Sequence, residues 1–125
     1  MSITSAEDLE AQFGPTRPKD LPLQTISVVR ERSKRLFGNK DRLEVAVAIK
    51  RVALGKVSAT DLGRDVDMAV NRIRAQLLAL EALGLLAKTG DEDGKRMFQR
   101  TNDDDRFWGF AVGEYEDVIG SLLDD

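Results

Sequence analysis

SATDLGRDVDMAVNRIRAQLLALEALGLLAKTGDEDGKRMFQR, residues 58–100, is the stretch that decides the fold of this chain. Its apolar residues are spaced like the core of a short helix, a tight turn and a longer helix: Leu62, Val66, Met68, Ile73, Leu77 and Leu80. Gly84 is placed to end the longer helix. Leu85–Lys88 and Lys95–Arg100 then flank an acidic turn, which predicts a two-stranded hairpin.

The composition excludes several classes of function. The chain has 125 residues, of which 42% are apolar, which suits one globular domain with one core. It has neither cysteine nor histidine, so the usual zinc, copper and iron sites and Ser-His or Cys-His catalysis cannot be built. We therefore predict no catalytic residues, no metal and no cofactor, and an enzyme is disfavoured.

The sequence gives no sign of a membrane or secretory segment. No apolar run approaches the length of a membrane span, and the first residues are acidic and polar rather than like a signal peptide. We therefore expect a cytoplasmic protein that does not bind membranes.

The charge is divided unevenly along the chain. The formal net charge is -3. Residues 17–56 nevertheless carry eleven basic and four acidic side chains, whereas residues 91–125 carry four basic and eleven acidic ones. A chain divided in this way can present a basic face while staying acidic overall.

The helix predicted over residues 69–83 is the candidate for reading DNA. Its apolar face leaves Asn71, Arg72, Arg74 and Gln76 on the other faces of its first half. Arginine can bind guanine, asparagine and glutamine can bind adenine, and all can bind phosphate. The N-terminal half of such a helix is the part that enters the major groove. A surface helix with solvated arginines is the alternative.

The hairpin adds further candidates and one objection. The full set of predicted DNA-binding residues is Asn71, Arg72, Arg74, Gln76, Ser58, Lys95 and Arg96. Phosphate would repel the tip, Asp91–Asp93, so this tip argues against a simple DNA-binding wing. Together the elements predict a winged helix-turn-helix fold, mainly α with a two-stranded β-wing.

The chain before this stretch divides into an arm and two helices. Residues 1–23 are predicted to form an N-terminal arm with a short helix and a proline-containing connector, and residues 24–125 the winged domain. A helix over Thr25–Phe37 ends at Gly38, and its basic residues either bind phosphate or are simply solvated. Asp41 and Glu44 form a capping-box pattern before a helix so apolar that it is central or covered by a partner. Asp67 is the expected turn residue between the helices of the motif.

The last helix, predicted over residues 103–123, has an apolar face too broad for a lone surface helix. We predict that it pairs with the residue 24–37 helix to form the interface of a homodimer. The alternative is that it covers its own domain. The expected interface residues are Ile26, Val29, Phe107, Trp108, Ala111, Tyr115, Val118 and Leu122.

Two segments resemble known families of regulators. RLFGNKDRLEVAVAI, residues 35–49, resembles the opening of the arsenic-repressor-like (ArsR) regulators. LLALEALGLLAK, residues 77–88, resembles the end of the recognition helix and the first wing strand in that family and in the MarR family. The resemblance implies a homodimeric bacterial transcription regulator with Asn71, Arg72, Arg74 and Gln76 at the DNA-reading positions. It does not carry over soft-metal sensing, because this chain lacks the Cys and His ligands.

The leading hypothesis is therefore a sequence-specific regulator that binds double-stranded DNA as a homodimer and acts as a repressor. The second hypothesis is a winged-helix module that binds protein and no DNA, which the net charge and the acidic tip favour. The sequence identifies neither an operator nor a small-molecule effector.

Overall fold

The computed structural model describes residues 17–52, 56–101 and 106–123 of the chain. A short 3₁₀ helix, Pro18–Asp20, precedes the first α-helix. The remaining elements, in chain order, are α1 (Leu23–Phe37), α2 (Arg42–Arg51), α3 (Ala59–Leu62), α4 (Val70–Ala82), β1 (Leu86–Glu92), β2 (Lys95–Arg100) and α5 (Arg106–Leu123). Helices α3 and α4 form the helix-turn-helix, and β1 and β2 pair antiparallel to form the wing.

Helix α2 lies at the centre of the fold. Every residue from Leu43 to Ile49 is buried, because α1, α5 and both helices of the helix-turn-helix pack on α2. This explains why the sequence of α2 is apolar around most of its circumference. The core of the chain is thus an arrangement of helices, and the wing contributes Leu86 and Phe98 to its edge.

The helix ends follow local sequence signals at three places. Gly38 and Gly84 end α1 and α4 with left-handed φ values of 74° and 81°, which residues with a Cβ rarely adopt. The Ser58 Oγ accepts a hydrogen bond from the Asp61 amide at 3.1 Å and caps α3.

The capping-box prediction for Asp41 and Glu44 is wrong. The side chain of Asp41 makes no capping hydrogen bond to α2. The buried Ser33 of α1 takes this role instead: its Oγ accepts from the Leu43 amide at 2.9 Å and donates to the Asn39 carbonyl at 2.6 Å. Asp41 and Glu44 are therefore left to form ion pairs with arginines.

The wing turn is tighter than the sequence analysis predicts. Only Asp93 and Gly94 lie between the strands, with φ values of 53° and 77°, as a two-residue hairpin turn of Asp-Gly sequence requires. The pairing shifts between Lys88 and Gly90, where one extra residue bulges. Val57 exchanges two backbone hydrogen bonds of 2.8 Å with Phe98, and this bridge ties the start of the helix-turn-helix to the wing.

Most of the predicted dimer residues lie in the core of the single chain. Because α5 packs on α2 and α1, these residues are at most 6% exposed and are not available to a second copy: Ile26, Val29, Trp108, Ala111, Tyr115 and Val118. Phe107 is partly buried against the same core. Within the single chain these side chains are covered by its own helices, as the alternative describes.

Asp67 lies in the connection between α3 and α4, as expected, but it does not have the left-handed backbone that favours Asp in turns. Among the described residues other than glycine, only Asp93 has a positive φ. Two expectations fall outside what the structure describes: the N-terminal helix and the placement of the Leu122 side chain.

Candidate nucleic-acid interface

Four of the predicted DNA-binding residues meet in one cleft. Arg74 from α4 and Lys95 and Arg96 from β2 line it together with Ser58 and Thr60 at the start of α3. The cleft has a volume of about 90 Å³. Three cationic side chains from two separate elements therefore converge on one small, solvent-open space.

The fold places these side chains through its buried contacts. Ile73 and Leu77 are fully buried, so they hold α4 against the core and leave Arg74 on its exposed face. On β2, Met97 and Phe98 are buried and Arg96 is exposed. The bridge between residues 57 and 98 then brings the wing beside the first turn of α3.

The cations of the cleft differ in how far they are neutralised within the chain. The Lys95 Nζ donates to the Asp61 Oδ1 at 3.1 Å. Although partial burial opposes it, the hydrogen bonds from Ser58 and Lys95 lower the pKa of Asp61 below its ordinary value. Within the part of the chain that the structure describes, neither Arg74 nor Arg96 makes an ion pair. These two arginines carry the available positive charge.

Arg72, although it precedes Arg74 by only two residues, faces another direction. Its guanidinium binds both carboxylate oxygens of Asp41, with the Nε–Oδ2 distance at 3.1 Å. This contact raises the pKa of Arg72. Arg72 thus ties α4 to the start of α2 and is not held toward the cleft.

Gln76 is also directed inward. It is 3% exposed, and its Oε1 accepts a hydrogen bond from the Arg42 Nε at 3.1 Å. The prediction that Gln76 reads DNA is wrong in this conformation, because a buried side chain cannot reach a base edge. Asn71, by contrast, is exposed on the first turn of α4.

Sequence reasoning missed the acids that hold these inward-facing residues. Asp41 and Glu44 were assigned to a helix cap, and nothing in their spacing distinguishes a cap from a long-range ion pair. The polar residues at positions 72 and 76 flank the apolar stripe of α4, and this position next to the stripe is the one available signal that they face inward.

The described residues offer no group of three or more Asp or Glu side chains able to hold a metal ion. In residues 17–52, 56–101 and 106–123, no helix is both long enough and apolar enough to cross a membrane.

Comparison with known proteins finds similarity in structure and not in sequence. The sequence matches no family model and no curated protein. Three solved regulators share the fold over nearly the whole chain. BldR from Sulfolobus solfataricus has a TM-score of 0.64 and 18% identity, covering 97% of this chain and 86% of its own. A mutant of MarR from Escherichia coli has a TM-score of 0.61 and 12% identity, covering 99% and 86%.

The third structure is BpsR from Bordetella bronchiseptica, a protein whose DNA binding is regulated by 6-hydroxynicotinic acid. Its TM-score is 0.61 at 15% identity, and the match covers 97% of this chain and 81% of BpsR. The chain has the winged helix-turn-helix fold. At these identities the comparison establishes the fold alone, and the predicted resemblance to the arsenic-repressor-like family stays a prediction.

Proposed function

We propose that this chain is a transcription regulator that binds double-stranded DNA with α4 in the major groove and the wing beside it. The observation that carries the proposal is the convergence of Arg74, Lys95 and Arg96 on one cleft. A cluster of cations at the edge of a recognition helix suits the closely spaced phosphates of a duplex.

We propose DNA contacts for only some of the residues predicted from the sequence. Asn71 and Arg74 are the exposed polar side chains from the predicted set on α4, so we assign them to base edges or the adjacent phosphates. Arg96, with Lys95 beside it, is assigned to the phosphate backbone. Arg72 and Gln76 hold α4 in place, and Ser58 caps α3.

The fold shared with MarR and BldR supports a regulator of the MarR type. We also propose that the chain is a repressor, that it comes from a bacterium and that it is located in the cytoplasm. A repressor requires only that the bound protein exclude other proteins from the same promoter DNA.

A fluorescence titration of duplex DNA tests the proposal. The probe is the DNA upstream of the gene itself, with an unrelated duplex as competitor and the salt concentration varied. We expect competitor-resistant binding that weakens steeply with salt, because bound cations release counterions from the DNA. Arg74→Ala should lose about tenfold in affinity or more, as for a single base or phosphate contact.

Arg35→Ala is the matched control, because it removes one positive charge from the exposed surface of α1, a helix that does not line the cleft. Its affinity should stay within about twofold of the wild type, since an exposed charge outside the interface is screened by salt. Equal losses in Arg74→Ala and Arg35→Ala would refute the cleft as the DNA-binding site.

We further propose a homodimer, through a surface other than the residues first predicted. Phe110 and Leu36 are 47% and 38% exposed, at the junction of α5 and α1. The Phe37 ring lies 6.3 Å from that of Phe110 and 5.9 Å from that of Phe107. The exposed apolar side chains thus continue an aromatic cluster, which is typical of surfaces that bind another protein chain.

Phe110→Glu tests this surface by sedimentation velocity. We expect a dimer in the wild type and a monomer in the variant, because a carboxylate would lie in an apolar contact. Leu83→Glu is the control, since Leu83 is 62% exposed and follows α4, whereas the cluster is formed by α1 and α5. A dimer that persists in Phe110→Glu would rule out this interface.

A module that binds protein and no DNA is the second candidate. It is favoured by the exposed acids Asp91, Glu92 and Asp93 at the wing tip. Glu92 also neutralises Lys56, with 2.9 Å between Oε2 and Nζ. A stoichiometric protein partner, together with no duplex binding at low salt, would replace the DNA proposal with this one.

A further inference from the structure

A buried carboxylate lies between the helical core and the DNA-reading motif. Glu44 on α2 is 0% exposed, and its Oε1 accepts a hydrogen bond from the Arg30 Nε at 2.7 Å. Its Oε2 is buried and meets no hydrogen-bond donor from the described residues. Burial raises the pKa of Glu44, and Arg30 opposes this rise.

The same arginine extends to the turn of the helix-turn-helix. Arg30 stands on α1, and its NH2 donates to the backbone carbonyl of Asp67 at 3.2 Å. Asp67 lies in the connection between α3 and α4, three residues before α4 begins. Arg30 therefore joins three segments: α1, on which it stands; α2, through Glu44; and the turn that sets the start of α4.

A second contact holds the first turn of α4. Asp41, at the start of α2, binds the guanidinium of Arg72. Glu44 interacts electrostatically with both of these groups and with Tyr115 of α5. The N-terminal end of the proposed recognition helix is thus held by ion pairs that originate on α2.

We propose that the ion pair of Arg30 with the buried Glu44 is a positioning device for the DNA-reading helix, fixing where α4 begins relative to α1 and α2. The inference rests on the proposed function and adds residues that touch no DNA. Glu44 orients Arg30, and Arg30 holds the Asp67 carbonyl. When the pair is lost, Asn71 and Arg74 remain present but their placement against base edges becomes less well defined.

Stability alone is a poor explanation for this pair. Ion pairs with a buried member often add little net stability, and apolar residues of similar size can replace both partners without loss. Glu44 has an unsatisfied oxygen, which increases the desolvation cost of its charge. Positioning is thus a role that apolar replacements would not restore, even where they restore the fold.

The test compares two double variants of the full chain. Arg30→Met with Glu44→Leu removes the Arg30–Glu44 pair, and Arg35→Met with Glu31→Leu removes an exposed pair of α1 as the matched control. The control pair is 3.3 Å apart with side chains 77% and 58% exposed. Each double variant removes one positive and one negative charge, so the net charge stays the same.

We expect the Arg30/Glu44 variant to lose about twofold to thirtyfold in specific DNA affinity, the range for positions that couple two regions. Its dependence on salt should stay unchanged, because no phosphate contact is lost. Its Tm should stay close to that of the wild type. A reduced salt dependence would identify Arg30 as a phosphate contact and overturn the positioning role, as would unchanged affinity.

Hydrogen exchange measures positioning without DNA. The amides of Met68, Arg72 and Ile73 make backbone hydrogen bonds of 3.0, 3.0 and 3.1 Å around the start of α4. They should exchange faster in the Arg30/Glu44 variant, with the α2 amides unchanged. If the wild type binds no specific duplex, the proposed function fails, and this exchange alone decides the positioning role: unchanged exchange overturns it.

Glu44→Gln tests the positioning role if the double variant does not fold. The amide keeps the size of the side chain and an oxygen that accepts from Arg30, and it removes the charge. Because a neutral amide holds the Arg30 guanidinium less tightly than a carboxylate does, the positioning role then predicts faster exchange at the same three amides with no loss of Tm. A Tm that falls together with uniformly faster exchange would instead show a purely structural pair.

Discussion

Arg72 and Arg74 stand two residues apart on the same helix and face different regions of the molecule. Arg72 binds Asp41 in an ion-pair network around the buried Glu44, whereas Arg74 lines the open cleft beside the wing. Two residues correspond to about 200° around a helix, so neighbouring arginines cannot share a face. The difference shows that the partner available on each face, and not the residue type, decides whether an arginine holds the fold or is free to bind a ligand.

The sharpest way to separate the two regions is to remove one arginine from each. Arg30→Met leaves Glu44 buried without its charged partner, and we expect a loss of about 3 kcal/mol in the free energy of unfolding. Arg74→Met, in the cleft, should change it by less than about 0.5 kcal/mol, because the side chain is exposed. Urea denaturation with matched m-values measures both.

Equal losses in the free energy of unfolding would contradict the distinction between the ion-pair network and the cleft. A large loss in Arg74→Met would mean that the cleft is part of the structural framework. A negligible loss in Arg30→Met would mean that Glu44 becomes protonated or solvated at little cost.

A smaller contrast is expected on α4 itself. Arg72→Ala should reduce the free energy of unfolding by about 1 kcal/mol, since its side chain remains 38% exposed and solvent screens the pair. Arg74→Ala should leave stability unchanged and reduce DNA affinity. The free energy of unfolding and the DNA affinity are measured for both variants. An Arg72→Ala variant that keeps full stability and loses DNA affinity would show that Arg72 contacts DNA.

The fold was predictable because its signals are local and repeated. The apolar spacing of residues 62–80 and the glycines at 38 and 84 each act within a few residues, and the structure has the elements they predict. The wing turn was placed too broadly, although the Asp-Gly pair at its end is the stronger hairpin signal.

The partners of individual side chains were less predictable, because they depend on contacts distant in sequence. Asp41 and Arg72 are 31 residues apart, and Arg30 and Glu44 are 14 apart. A broad apolar face on α5 predicts burial, but it does not distinguish burial against α2 from burial against a second subunit. The sequence therefore indicates which residues of α5 are buried, but it does not indicate which element covers them.

The pH dependence of folding sharpens the comparison further, because Glu44 and Asp61 act in opposite directions. Burial raises the pKa of Glu44 above its ordinary 4.5, so the folded state holds that proton more tightly and stability falls as pH rises through this window. Hydrogen bonds from Ser58 and Lys95 lower the pKa of Asp61 below its ordinary 3.8, so its contribution is present above that value and lost as pH falls further.

Glu44→Gln should therefore remove the fall in stability above pH 4.5, and Asp61→Asn should leave that fall intact. Urea midpoints measured at several pH values in this range provide the check. The charged groups that face Glu44 are Arg30, Asp41 and Arg72, and Tyr115 also interacts with it. A profile that Glu44→Gln does not alter would assign the pH dependence to other carboxyl groups of the chain.

The smallest expected effect concerns the acidic wing tip, which opposes the cleft electrostatically. Asp91→Asn with Asp93→Asn removes two exposed negative charges and keeps the turn, because asparagine also tolerates the positive φ of 53° at position 93. We expect duplex affinity to rise by about threefold at low salt and the gain to disappear at high salt, since exposed charges are screened beyond about 10 Å at 0.1 M. Unchanged affinity at low salt would place the tip away from DNA. Reduced affinity would indicate that these acids contact the DNA directly.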